Sequence, residues 1–172
     1  MAFVPRLLVL LYGFAGLLTG ARSFYFTHWK KIAVNNCPYG WTQLNSKCYI
    51  YQSDPRIFAD AEDVCNIIGG NLVSIRDDLE NTFVLELALE GGNDGEYWIG
   101  YNDNLEPDTF IWTDGTMPGF ENYKTSTIVP EPNSANGNCV EVDDDDGEWQ
   151  TESCMDSNPY VCIRDVFMKM SR

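Results

Sequence analysis

The stretch CVEVDDDDGEWQTESCMDSNPYVC, residues 139–162, holds three of the chain's six cysteines and reads as three short strands: Cys139 to Val142, Glu148 to Cys154 and Pro159 to Ile163. Short apolar runs bounded by Asp, Gly, Ser and Pro are strand signals. The other cysteines, Cys37, Cys48 and Cys65, lie well upstream. An even cysteine count in an exported chain predicts a disulfide framework of three bridges, and spacing alone does not choose among the pairings. No two cysteines form a CxxC pair, so nothing supports a zinc-finger reading.

Export is read from the first residues. Arg6 closes a short basic start, Leu7 to Leu18 is almost unbroken apolar sequence, and Thr19, Gly20 and Ala21 are small. This is the pattern of a signal peptide, residues 1–21, cleaved after Ala21. The run is shorter than the about 20 residues that span a bilayer. No second run of that length follows, so the expectation is a secreted, extracellular protein without a membrane span. Residues 22–36 form a leader that includes FYFTHWKKIAVNN, aromatic and basic and without periodicity; Phe24–Lys31 is a candidate for homo-oligomer pairing. A single domain follows over 37–165, with a tail at 166–172. The formal net charge of -15 becomes -16 once Arg6 leaves with the signal peptide. Such a surface repels nucleic acid and anionic membranes, and suits multivalent cations, basic partners or neutral ligands.

Two helices come first. Asp54-Pro55 reads as an N-cap followed by the proline favoured in the first turn. Phe58, Ala61, Val64, Cys65 and Ile68 then recur at helical spacing until Gly69-Gly70. The second helix opens at Asp77 with Glu80 three residues on, a capping-box pattern, and Leu79, Phe83 and Leu87 make its expected buried stripe. Between them NLVSI (71–75) reads as a strand, and YWIGY (97–101) and Phe110 to Trp112 read as further strands. Met117 to Asn138 carries three of the eight prolines and no periodicity. A loop of that length in a small domain is usually functional. Helices first, then strands and a long loop, give an α+β class.

In order along the chain, CPYGW from Cys37, the first helix with Cys65, NLVSI with Glu80, YWIGY, WTDG from Trp112, EPN from Glu131, CVEV from Cys139, Glu148-Trp149 and YVC ending at Cys162 resemble the C-type lectin-like domain in its long, six-cysteine form. The resemblance covers Cys37 to about Asp165. It implies two helices, short antiparallel sheets and a long loop region. It also implies bridges Cys65–Cys162, Cys139–Cys154 and Cys37–Cys48, the last closing an N-terminal hairpin.

In sugar-binding members a calcium ion sits in the long loop and the sugar coordinates it. Calcium takes 6–8 oxygen ligands. The Glu and Asn of EPN hold the ion and hydrogen-bond the sugar hydroxyls, and this tripeptide goes with mannose-type sugars. By resemblance, the carbohydrate-binding residues are Glu131, Asn133, Gln150 and Thr151, and the candidate calcium (Ca2+) ligands are Glu131, Asn133, Asn138 and Thr151. Pro132 is expected in the cis form. The chain departs from the pattern at three positions. Gly137, followed by Asn138, stands where the family has an acid two residues before the cysteine, and Trp149-Gln150-Thr151 replaces Trp-Asn-Asp. Glu131 is then the one sure carboxylate, with Glu148 and Glu152 the other acids nearby.

The run Asp143 to Asp146 reads, on the family template, as a solvated hairpin tip with Gly147 supplying the turn. Trp41, Trp98, Trp112 and Trp149 read as core. His28 is the one histidine and lies outside the domain, and no nucleophile motif is present, so the reading is a non-enzyme. No N-x-S/T acceptor site occurs. The leading expectation is a secreted lectin for glycans of mannose type. The alternative is a calcium-independent module of the same fold for a mineral, ice or protein partner.

Overall fold

The computed structural model describes residues 36–125 and 130–167. Residues 1–35, which take in the expected signal peptide and nearly all of the expected leader, residues 126–129 and residues 168–172 lie outside the described residues. A short hairpin, β1 (Thr42–Leu44) and β2 (Lys47–Arg56), leads into α1 (Phe58–Ile67), β3 (Asn71–Leu72) and α2 (Asp78–Glu90). Then come β4 (Tyr97–Asn102), β5 (Ile111–Trp112), β6 (Cys139–Val142), β7 (Trp149–Glu152) and β8 (Asn158–Asp165). Among the described residues the strands join into one sheet of order β1-β2-β8-β4-β6-β7, with β3 attached to β8 and β5 to β4. The last strand therefore lies between the first hairpin and the strands beneath the long loop.

All six residues of β4 are buried, which explains why YWIGY reads as one apolar run rather than an alternating one. Its period-2 alternation divides the core. Tyr97, Ile99 and Tyr101 join Val84 and Ala88 of α2, Val140, Val142 and Trp149 on one side. Trp98 turns to the other, with Phe58, Ala61 and Cys65 of α1, Tyr160 and Cys162. The three bridges are Cys37–Cys48, Cys65–Cys162 and Cys139–Cys154, as the resemblance implies. Trp41, Trp98, Trp112 and Trp149 are all buried.

Two local readings need correction. Asp54-Pro55 does not start α1: β2 runs on through Arg56, and the N-cap is Ile57, with no side-chain cap. The pairing of β2 with β8 shifts register between Gln52 and Arg56, and a proline is tolerated in such an irregularity because no ladder bond needs its missing N–H. Phe58 N instead donates to the Cys154 carbonyl at 3.1 Å, a tertiary substitute for the cap. In α2, Asp77 does accept from Glu80 N at 2.9 Å. The buried row, however, is Glu80, Asn81, Val84 and Ala88, while Leu79 is 60% exposed. Glu80 is buried because it has partners: it accepts from Arg76 N at 2.9 Å, pairs with the Arg76 guanidinium and faces Tyr49 OH at 3.4 Å.

Candidate functional site

The long loop returns to the sheet at Glu131. The Glu131–Pro132 peptide is cis, as the resemblance implies. One carboxylate oxygen of Glu131, Oε2, accepts from Thr151 Oγ1 at 2.6 Å, from Thr151 N at 3.0 Å and from Asn133 N at 3.1 Å. The other, Oε1, receives Asn136 Nδ2 at 3.3 Å. Thr151 is 1% exposed, and its hydroxyl also accepts from Asn133 N and lies 2.9 Å from the Asn133 carbonyl. The EPN turn is thus clamped onto β7 by a neutral hydroxyl and main-chain N–H groups. Asn133 Oδ1 accepts from Ala135 N at 3.2 Å.

The remaining site residues point elsewhere. Asn138 donates to Asp103 Oδ1 at 2.7 Å, away from Glu131. Gln150 lies in a chain of polar contacts: Lys124 Nζ donates to its Oε1 at 3.0 Å, and its Nε2 donates to Glu141 Oε1 at 2.6 Å. Lys124 also pairs with Asp143 at 2.5 Å. Burial opposes the Lys124 charge, but the Asp143 carboxylate outweighs it and raises the pKa. Asp143 is held below the usual carboxylate range by Lys124 and by the Asp145 N–H. The acidic run is therefore not solvated throughout, because Asp143 braces the long loop, while Asp145 and Asp146 remain exposed and Gly147 makes the turn at φ +74°.

Glu141 is 4% exposed, its two oxygens taken by Gln150 and by Asn158 Nδ2 at 2.6 Å. Burial, helped by the charges of Glu96 and Glu152, pushes its pKa up from 4.5 to about 7, while the Gln150 and Asn158 bonds oppose the shift. Between these values the unfolded chain ionises while the folded one keeps its proton, so stability falls as pH rises through the window and levels above it. Glu141→Gln removes the titrating group, so the variant's stability is expected to fall less than that of the wild type between about pH 5 and 8. Melting temperatures of both proteins between about pH 5 and 8 check this; parallel curves would refute it.

Whether these residues fit calcium is decided by what surrounds Glu131. The N–H groups of Thr151 and Asn133 and the Thr151 hydroxyl are donors aimed at Oε2, and Asn, Gln and Thr bring no second charge. A Cβ added at Gly137 would meet the Glu152 carbonyl oxygen at 2.0 Å, so the backbone leaves no room there for the family's acid. Glu152 itself accepts from Ser153 N at 2.7 Å. Among the described residues no group of three or more His, Cys, Asp or Glu is arranged to hold a metal ion. The set as it stands does not fit a calcium ion, whose affinity depends on ligand charge.

Beside Glu131 opens a cleft of about 390 Å³ lined by Glu121, Tyr123, Lys124, Thr125 and Pro130 as well. Glu121 accepts from Tyr101 OH at 2.8 Å. Of the sequence-derived residues, hydrogen bonds join Glu131, Asn133 and Thr151, while Asn138 bonds Asp103 and Gln150 bonds Lys124 and Glu141 instead. The fold adds Lys124, Glu121, Asp143 and Glu141. Sequence reading missed Lys124 because no local pattern marks a lysine whose partners lie 19 and 26 residues away.

A chain with this sheet, these three bridges and a clamped EPN loop is a C-type lectin-like domain, and it belongs to that family: the family model described as "Lectin C-type domain" matches residues 54–164. It is similar to the galactose-specific lectin nattectin of Thalassophryne nattereri, 28% identical over 96% of this chain and 100% of that protein. Human lithostathine-1-beta is 33% identical, over 74% of this chain and 77% of its own. Among solved structures, the cow CD23 carbohydrate-recognition domain, crystallised in the presence of GlcNAc2Man3 oligosaccharide, has a TM-score of 0.69 at 29% identity. That match covers 78% of this chain and 100% of that one. The family is one of binding domains, and the chain is not an enzyme. No helix among the described residues is long and apolar enough to cross a membrane.

Proposed function

We propose that this is a secreted lectin-like protein that binds mannose-type glycans at its long loop by direct hydrogen bonds, without calcium. The observation that carries the calcium-free part is the clamp: Thr151 and the Asn133 N–H take Glu131 Oε2, where an ion would otherwise be held. What remains for a sugar is Oε1, the Asn133 amide nitrogen, which has no partner among the described residues, and the adjoining cleft with Glu121, Tyr123 and Lys124. Hydroxyl groups suit such a mixed set because each both donates and accepts. Residues 1–21 act as the signal peptide in this reading, and single weak sites gain by multivalency if Phe24–Lys31 pairs chains.

The test is retention of the mature chain on mannan resin in millimolar calcium, then with a chelator, and on galactose resin in parallel because nattectin is galactose-specific. Retention on mannan indifferent to the chelator, and lost in Glu131→Gln or Asn133→Asp, is the expected result. Release by the chelator would overturn the calcium-free part, and retention on galactose alone would overturn the mannose part. A second reading, a mineral or protein partner for the same fold, is favoured by the acidic balance. It takes precedence if neither resin binds. Removal of Phe24–Lys31 tests self-association by a change in molecular size.

A further inference from the structure

Of the row Leu79, Phe83 and Leu87, which recurs every four residues along α2, Phe83 and Leu87 are half-buried against the core and Leu79 is not. Phe83 leans inward, edge-on to Tyr49 at 5.0 Å between centroids. Leu79 stands largely in solvent. With Thr42 of β1 these three line an open groove of about 310 Å³. Its rim is the neighbouring row of the helix, Thr82, Glu86 and Glu90, all exposed. The wall opposite comes from β1, an end strand of the sheet path.

The rim breaks a local rule. Glu90 is the last residue of α2 and Glu86 lies one turn before it, where the helix presents its partial negative charge and cations are favoured. No basic residue occupies that last turn. Neither glutamate takes part in an ion pair among the described residues; the pairs there are Lys47–Asp165, Arg56–Asp54, Arg76–Glu80 and Lys124–Asp143. An apolar row beside two uncompensated carboxylates at the negative end of a helix is a surface with one chemical complement.

We propose that this groove docks a cationic amphipathic segment of a partner protein. Its apolar residues, at helical spacing, would lie on Leu79, Phe83 and Leu87, and its lysines or arginines opposite Glu86 and Glu90. This is recognition of an amphipathic helix in a groove. Charge argues against a second copy as the occupant. Two copies facing each other here would set the same glutamates against one another, on chains that each carry a formal charge of -15.

The probe is a synthetic amphipathic peptide of leucine and lysine, labelled and titrated with the full mature chain by fluorescence anisotropy. Saturable binding is expected, weakened about tenfold or more by the pair Glu86→Gln and Glu90→Gln and by Leu79→Ser alone, and unchanged by Glu131→Gln. The pair Asp145→Asn and Asp146→Asn removes the same charge from an exposed loop and is expected to leave binding intact. Equal loss in the two double variants would show attraction to the acidic surface at large and overturn the proposal. So would binding that ignores Leu79→Ser. If the wild type self-associates with concentration and Leu79→Ser abolishes it, the groove belongs to a second copy.

Discussion

Trp149→Ala is expected to cost about 3–5 kcal/mol of stability, a large part of the 5–15 kcal/mol that holds a typical domain. The indole is fully buried, and Tyr101, Trp112, Phe120 and Tyr123 meet it edge-on at centroid separations of 5.7–5.9 Å. Its Nε1 donates to Asn81 Oδ1 at 2.8 Å, so truncation also strands a buried acceptor on α2. The loss reaches the site directly. Trp149 N donates to the Asn122 carbonyl and Lys124 N donates to the Trp149 carbonyl, each at 2.8 Å, and Gln150 and Thr151 follow on the same strand. Urea unfolding measures the change. Trp149→Phe, which keeps a ring and loses the donor, should fall between wild type and alanine. Stability of the alanine variant within about 1 kcal/mol of wild type would refute the packing argument, since deletions of this kind cost several times that.

Cys65→Ala with Cys162→Ala is expected to cost about 4–5 kcal/mol, the most of the three bridges, because it opens a loop of 97 residues between two fully buried positions. Removing Cys37–Cys48, which spans 11 residues, should cost about 3 kcal/mol by the same loop-closure reasoning. Bridge Cys139–Cys154, spanning 15, belongs near the short one. Denaturation midpoints of the three double variants give the ranking. Should the Cys37–Cys48 variant prove the weakest, chain entropy would not be the main stabilising effect of these bridges.

Several strands and the second cap were legible in local sequence, though β2 over Lys47–Arg56 was not and NLVSI proved a strand only at Asn71–Leu72. Tyr97 to Tyr101, Cys139 to Val142 and Asp77 with Glu80 depend on neighbours only a few residues apart, and each is found where the pattern puts it. The bridge pairing was legible only through the family's ordered motifs, since spacing permits other pairings. Asp54-Pro55 misled because a proline after an aspartate is compatible both with a helix start and with a strand irregularity, and the β8 partner chose the second. Leu79 misled because periodicity reports that a helix has an apolar row but not which row turns inward. Here Val84 and Ala88 pack on the sheet, and Glu80 is admitted beside them by Arg76.

For the site, Glu131 and Asn133 were nameable from EPN alone, and the departures at Gly137, Gln150 and Thr151 already weakened the calcium reading. What those substitutes do instead was not nameable. Thr151 reaches Glu131 across 20 residues of chain, and Gln150 reaches Lys124 across 26. The family, most elements with short-range signals, the acidic balance and the poverty of carboxylates in the long loop are readable from the chain alone, because each is written in residue type and near-neighbour order. That Glu131 is clamped, that Asp143 braces the loop, and that Leu79 faces solvent while Phe83 and Leu87 pack on the core, follows from the tertiary structure. Those outcomes depend on hydrogen bonds and burial between segments far apart in the chain, and such contacts leave no periodic trace in either segment.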